Sequence, residues 1–424
     1  MSSPLYSIAS RVLHRASWLP GKVGASVAGR RHAAGRWEQW AGRYRRDGPL
    51  LWIHAASVGE ALVMEPVVTR VRASLNCVQV VVSHSSPSVE AWPLEFADHS
   101  DFIPADMRSD ATRFLEAVRP SMLVIARRDL WPTIMGIVAA AVPVLIVGAR
   151  ATAPRQGFAR GLSRLYGRVL ERVSWVGAVT EADARAWHAL GVPASVIEVT
   201  GDPAYDRVLE RIPDMVAIDG IRSWVSGRFT LVAGSVEPSD YPTVCDAAGR
   251  VLGANPGARA IVVPHEPGPD AAAHWAAMRG ISTRVWRRGD AILDDPQLVV
   301  VAETGLLADI YALGDFAYVG GGFRRRMLHS VVEPAAYGLP VVCGPFFEAQ
   351  WDAGVLADAG GLQVLSRAAA QAEFIDRWQW YAENPEARLK NGLVARGVLR
   401  GGAAQRSADA IGARLGPDPL RLVG

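Results

Sequence analysis

Glu60 is a lone carboxylate placed where a proton is readily taken. The apolar run Leu51, Trp52, Ile53 predicts a buried strand, which stops at His54-Ala55-Ala56-Ser57. Gly59-Glu60 then opens a helix predicted over 60–72. A parallel strand that runs through a small-residue turn into a helix puts that turn at the carboxyl end of a sheet, where α/β proteins hold their ligands. A carboxylate there suits general-base work. The alternative is that Glu60 only complements the helix dipole.

A second segment, Phe316 to Pro345, has the order strand, triple glycine, loop, helix, short strand. Gly320, Gly321 and Gly322 are expected to let the backbone come close to a ligand. A helix expected from Leu328 would offer free N–H groups to a phosphate. His329 and Glu333, at i and i+4, would share one face of it. Arg324, Arg325 and Arg326 form a charge run beside the glycines, which is either a solvated face or an anion contact.

Together these segments resemble the Kdo transferases of lipid A biosynthesis, and the resemblance covers nearly the whole chain. His54-x-x-Ser57-x-Gly59-Glu60 is similar to that family's most specific motif, whose Glu is the proposed base. Pro104-x-Asp106, Asp129-Leu130-Trp131-Pro132, Gly201-Asp202 with Tyr205-Asp206, Gly234-Ser235 with Pro238 and Asp240, and Pro264-His265-Glu266 resemble its further motifs. There are departures. Ser330 stands where the family has Asn. Arg127-Arg128-Asp129 stands where E-x-E is common, so the first acid is Arg127 and the second is the shorter Asp129.

The resemblance implies an α/β protein of GT-B architecture, with two Rossmann-like domains facing a central cleft. It implies an inverting glycosyltransferase that moves 3-deoxy-D-manno-octulosonic acid (Kdo) from CMP-Kdo to a lipid A precursor, lipid IVA, in lipopolysaccharide biosynthesis. Glu60 is then the catalytic base, and His54, Ser57, Gly59 and Asp129 bind the acceptor or support the base. The donor phosphate cradle falls to Gly320, Gly321, Gly322, the backbone near Leu328–Ser330, and Ser235. Glu333 would meet ribose hydroxyls, and His329 and His265 the phosphate or the base. Arg324 is the named candidate of the arginine run; Arg127 and Arg150 are secondary ones. Trp131 reads as core more than as ligand contact. No aspartate pair with metal-chelating spacing stands out, so no metal or other cofactor is expected.

Composition bounds these expectations. The chain has 424 residues, half of them hydrophobic and 21% charged, which allows large cores and argues against disorder. Its three cysteines, Cys77, Cys245 and Cys343, are scattered and show no zinc-type spacing. Residues 1–50 hold nine Lys/Arg against two Asp/Glu, a balance of +7, so the overall +3 leaves the rest near −4. No stretch offers the roughly 20 uninterrupted apolar residues of a membrane span. Leu5, Ile8, Val12, Ala16 and Leu19 instead form one helical stripe, with Arg11, His14, Arg15 and Lys22 off it. Such a helix suits an anionic membrane surface, or else packs on its own domain with its basic residues solvated; with the lipid acceptor that the resemblance implies, the expectation is a peripheral or N-terminally anchored protein at the cytoplasmic face of the inner membrane. No basic groove with aromatic lining points to nucleic acid.

From about residue 48, strands and helices alternate, which predicts parallel sheets covered on both faces. Predicted strands are 50–56, 78–84, 121–126, 143–147, 175–180 and 197–200, then 229–233, 260–263, 298–301, 316–319 and 341–343. Helices are expected over 111–118 and 160–172 among others. The expected division is a basic amphipathic segment 1–47, an acceptor domain 48–205, a linker 206–228, and a nucleotide-sugar domain 229–424 with terminal helices over 385–414, which the resemblance implies pack back across the cleft. Three other readings stay open. One is another GT-B transferase with a different donor or acceptor. A UDP-sugar epimerase would share the two domains without needing the Glu60 motif. The third is a non-catalytic nucleotide-binding relative, against which Glu60 argues, since an inactive descendant would more readily lose its base than its glycines.

Overall fold

The structure is a computed structural model that describes residues 20–75, 77–151, 169–278 and 280–415. The expected amphipathic stripe from Leu5 to Leu19 lies outside these residues, as does most of the helix expected over 160–172.

The chain forms two compact units, Met1–Arg207 with Arg400–Gly424, and Val208–Leu399. In the first unit, runs of Val, Ile and Leu form the inner strands of a parallel sheet. The strands are β1 (Leu50–His54), β2 (Gln79–His84), β3 (His99–Phe102), β4 (Met122–Ala126), β5 (Val144–Ala149), β6 (Trp175–Ala178) and β7 (Ile197–Val199), in the order β3-β2-β1-β4-β5-β6-β7. Successive residues face opposite sides, so β1 feeds two cores. Trp52 packs with Trp37 and Phe114 on one side. Leu51 and Ile53 pack with Met64, Val67 and Ile411 on the other. Burial on both faces is why these strands read as continuous apolar runs.

The second unit repeats the plan. Its strands are β8 (Thr230–Val236), β9 (Arg259–Pro264), β10 (Thr283–Trp286), β11 (Leu298–Val301), β12 (Phe316–Val319), β13 (Val341–Cys343) and β14 (Leu362–Val364), in the order β10-β11-β9-β8-β12-β13-β14. In each sheet the chain order reverses about one strand. β1 lies between β2 and β4, and β8 between β9 and β12. Such reversals leave a crevice beyond the strand ends, the usual ligand position in open parallel sheets.

The domain limits differ from those expected. The 206–228 stretch is not plain linker, because helices occupy Pro203–Leu209 and Asp219–Val225. The last described helix, Ala403–Leu415, belongs to the first unit. Buried Asp206 accepts the Ala404 N–H at 3.0 Å and also the Gly402 N–H, which satisfies two of the orphan donors at that helix start. Ala404, Ala408 and Ile411 then enter the first unit's core. Strands β3, β10 and β14 were not expected. His99-Ser100-Asp101, Thr283-Arg284 and Gln363 give them too little apolar signal, and all three lie next to or at a sheet edge.

Candidate active site

At the reversal point of the first sheet, the end of β1 carries the predicted base. Ser57 caps the helix Val58–Ser74, its Oγ accepting the Glu60 N–H at 3.4 Å. Glu60 turns back over the turn, and its Oε2 accepts the Ala56 N–H at 2.8 Å. This is a variant of the reciprocal Ser/Glu helix-start motif, displaced by one residue. The dipole reading of Glu60 is therefore realised in part, and it does not exhaust the residue. Burial raises the Glu60 carboxyl above the ordinary glutamate range. The Ala56 N–H lowers it, the Asp129 charge raises it again, and His54 and Arg127 lower it. The net result is a base stronger than a free glutamate.

Asp129 follows β4, the neighbour of β1, and so reaches the same crevice. Its Oδ2 lies 3.0 Å from His54 Nε2 and accepts from Ser85 Oγ at 3.0 Å and Trp131 Nε1 at 3.2 Å. Burial pushes Asp129 up, but His54, Ser85 and Trp131 outweigh it and hold the carboxyl below its ordinary value. His54, almost fully buried, is fixed from behind by Ser83, whose carbonyl oxygen and Oγ both lie 3.0 Å from Nδ1. Trp131 packs partly into the core, and Arg30 lies over its ring at 3.8 Å. Its indole N–H nevertheless points into the site. Gly59 is exposed, and a Cβ built on it would meet nothing nearer than Ser57 Oγ at 4.0 Å. The fold leaves open space where the motif places its glycine.

The departures now have a structural meaning. Arg127, in a left-handed conformation at φ 66°, donates from Nη1 to Asp202 Oδ2 at 2.6 Å, and Arg150 pairs with the same oxygen. Asp202 is fully buried, and two guanidinium groups compensate its desolvation. Other motif carboxylates also hold backbone. Asp106 accepts the Ile134 and Thr133 N–H groups at 2.8 and 3.3 Å, fixing the start of the helix Pro132–Val138 below Asp129 and Trp131.

In the second unit the triple glycine serves packing first. A Cβ on Gly320 would stand 2.2 Å from the Ser235 carbonyl oxygen, one on Gly321 2.1 Å from that of Met327, and one on Gly322 2.5 Å from the Gly344 nitrogen. The Gly320 N–H donates to Gly234 O at 2.9 Å, and the Gly321 N–H to Asp240 Oδ2 at 2.8 Å. These two N–H groups are engaged inside the protein, which corrects the expectation that they form a free phosphate cradle. Ser235 sits at φ 51° on a bulge of β8, where the register shifts between Gly234 and Val236.

The expected helix from Leu328 is also corrected. The helix is only Val332–Ala336. Pro334 has no N–H to give Ser330, so it is tolerated only in a first turn and the helix cannot reach back. His329 and Ser330 therefore precede it, and His329 and Glu333 do not share a helical face. Glu333 acts electrostatically on Tyr311, Tyr337 and Arg211. Arg324, Arg325 and Arg326 are all exposed, with Arg325 5.5 Å from the Phe346 ring.

His329 joins a different partner, one that sequence reasoning missed. Glu237 follows β8 directly. Its Oε1 lies 3.1 Å from His329 Nε2 and 3.8 Å from His265 Nε2. The two imidazoles stack with centroids 4.2 Å apart. Glu237 stands 92 positions from His329 in sequence, so no local spacing signals the pair.

Comparison with known proteins agrees with this picture. Residues 35–207 match the family described as 3-deoxy-D-manno-octulosonic-acid transferase (kdotransferase). The 3-deoxy-D-manno-octulosonic acid transferase of Bordetella pertussis is 26% identical over 408 residues, covering 90% of this chain and 93% of that protein. The Haemophilus influenzae enzyme of the same name is 23% identical over 302 residues, covering 69% and 70%. Among solved structures, the UDP-GlcNAc 2-epimerase of Neisseria meningitidis aligns with a TM-score of 0.60 at 12% identity, over 86% of this chain and 99% of that one. That likeness is one of fold, the two-domain α/β architecture of GT-B proteins. The base motif, folded into one site, lies within the stretch that matches this family, and both halves of the chain align with the Bordetella pertussis transferase, so the chain is similar to 3-deoxy-D-manno-octulosonic acid transferases along most of its length.

Proposed function

We propose that this chain transfers Kdo from CMP-Kdo to a hydroxyl of a lipid A precursor, with inversion, and that Glu60 is the general base. The observation that carries the proposal is the setting of Glu60. It is a partly buried carboxylate raised above its ordinary range, at the sheet's reversal point, beside an open glycine and the His54–Asp129 pair. Glu60 takes the acceptor's hydroxyl proton as the oxygen bonds to the anomeric carbon. The bond from that carbon to the phosphate oxygen breaks, and CMP leaves with the electron pair. The transition state has oxocarbenium character, as in glycoside hydrolysis. Asp129 raises the affinity of Glu60 for the proton, and His54 and Trp131 keep Asp129 in place.

Binding of the donor falls to the second unit, with Ser235, His265 and His329 nearest its reversal point and the exposed Arg324 available to an anion. The engaged glycine N–H groups make side chains the principal donor contacts. The basic excess of residues 1–50 supports a bilayer-borne acceptor and a position at the cytoplasmic face of the inner membrane. Among the described residues, no helix is long and apolar enough to cross a membrane.

The test is CMP release from freshly made CMP-Kdo, with and without a tetra-acylated lipid A precursor in detergent, followed by product mass. Acceptor-dependent release with a Kdo-sized gain in mass is expected. Tight CMP binding without acceptor-dependent release would overturn the proposal in favour of a non-catalytic relative. Release only with another nucleotide sugar would favour a different donor.

A further inference from the structure

Three neighbouring strands of the second sheet each deliver a metal-ligand side chain to one point. Glu237 follows β8, His265 follows β9, and His329 lies in the loop after β12. Their donor atoms all lie within 4.8 Å of one another. Each is held by backbone. The Glu237 N–H donates to Asp240 Oδ2 at 2.8 Å, the His265 N–H to Val236 O at 3.1 Å, and the His329 N–H to Gly320 O at 3.2 Å. Glu237 and His329 are mostly covered, while His265 is 42% exposed and leaves one side open.

We infer that Glu237, His265 and His329 form a three-ligand site for a divalent first-row transition metal, open on one face to an anionic ligand. The spacing suits such an ion. With metal–ligand bonds of about 2.1 Å, neighbouring ligands stand about 3.0–3.4 Å apart. The Glu237 distances of 3.1 and 3.8 Å come near that range, and the stacked imidazoles, with centroids 4.2 Å apart, must turn for both ring nitrogens to face one ion, a movement open to the exposed His265. Two imidazoles with one carboxylate select zinc, cobalt, iron or manganese over magnesium or calcium, which prefer all-oxygen sites. Charge gives a second reason. A carboxylate beside a phosphate site repels its ligand. A cation held by that carboxylate converts the repulsion into attraction and would meet the charge of a departing phosphate. This goes against the expectation from sequence, which looked for paired aspartates and found none. The phosphate clause rests on the proposed donor half; the metal site does not.

The test uses the full chain, stripped with a chelator and titrated with cobalt(II) or zinc(II) alone, without nucleotide. Bound metal after dialysis, the visible cobalt spectrum and the thermal midpoint are read together. A single equivalent is expected, with a metal-dependent rise in the midpoint. Glu237→Gln, His265→Ala and His329→Ala should each weaken binding about 100-fold or more, since even outer-shell changes cost 10–100-fold. Their metal-free midpoints report whether they fold. Cys245→Ser should bind as the parent does, which excludes the Cys245–His274 contact at 3.5 Å as the site. No binding by the parent, or binding that survives Glu237→Gln and His329→Ala, would overturn the inference. CMP should then perturb the cobalt spectrum, and an unchanged spectrum would overturn the open-face assignment. Failure of Kdo transfer with the cobalt spectrum intact would remove the donor reading and leave the metal site standing.

Discussion

Gly59 and Gly320 both lie just beyond a strand at the reversal point of a parallel sheet, yet the fold treats them in opposite ways. A Cβ at Gly59 meets only Ser57 Oγ, 4.0 Å away, whereas one at Gly320 would strike the Ser235 carbonyl oxygen at 2.2 Å. The first glycine is not needed by packing, and the second is. A glycine that its own protein leaves unused points to a ligand. A glycine filled by its neighbours points to close packing. The two regions therefore carry their chemistry differently. In the first unit it lies within the motif itself, at Glu60 and His54, with Asp129 joining from the next strand. In the second it lies beside the motif, at Glu237, His265 and His329.

The largest effect sharpening this contrast is expected at Glu60. Glu60→Gln should lower transfer by about 10²–10⁴-fold, the usual contribution of a general base, while CMP affinity in the second unit is unchanged. Binding isotherms and single-turnover rates on one preparation check this. The sign for stability is the reverse. A buried carboxyl raised above its unfolded value is most favourable while protonated, and that advantage is lost as pH rises through its folded value. Glu60→Gln, which keeps the acceptor for the Ala56 N–H, should thus be no less stable than the parent at neutral pH. A clear loss of stability there would show that Glu60 is chiefly a structural cap.

Alanine at the two glycines separates the regions next. Gly320→Ala should destabilise by about 1–3 kcal/mol through overpacking, measured by denaturant unfolding. Gly59→Ala should leave stability within about 0.5 kcal/mol, as for unconstrained surface positions, and lower transfer. Equal stability losses at both sites would break the comparison. A smaller effect is expected at Asp206, whose carboxylate caps the returning helix Ala403–Leu415. Asp206→Ala should cost about 0.5–2 kcal/mol and increase amide exchange in that helix; unchanged exchange would remove the capping role.

Much of this was legible in the sequence because inner parallel strands are apolar throughout and the Ser57–Glu60 spacing is local. What was hidden has physical causes. Strands β3, β10 and β14 carry polar residues, since one flank of an edge strand faces solvent. The helix expected at Leu328 was blocked by Pro334, a stop whose effect depends on which turn it occupies. The Asp202 pairing with Arg127 and Arg150, the return of the last helix to Asp206, and Glu237 beside His329 all join residues far apart in the chain, and no spacing rule reaches across them.

The central claim, that Glu60 is a base tuned by burial and by Asp129, is tested most directly by the pH dependence of kcat/KM for transfer, in the parent and in Asp129→Asn. The parent's acid limb should lie above the ordinary glutamate value, because a raised carboxyl is protonated and inactive to higher pH. Removing the Asp129 charge should move that limb to lower pH. An acid limb in the ordinary carboxylate range that does not move in Asp129→Asn would contradict the claim.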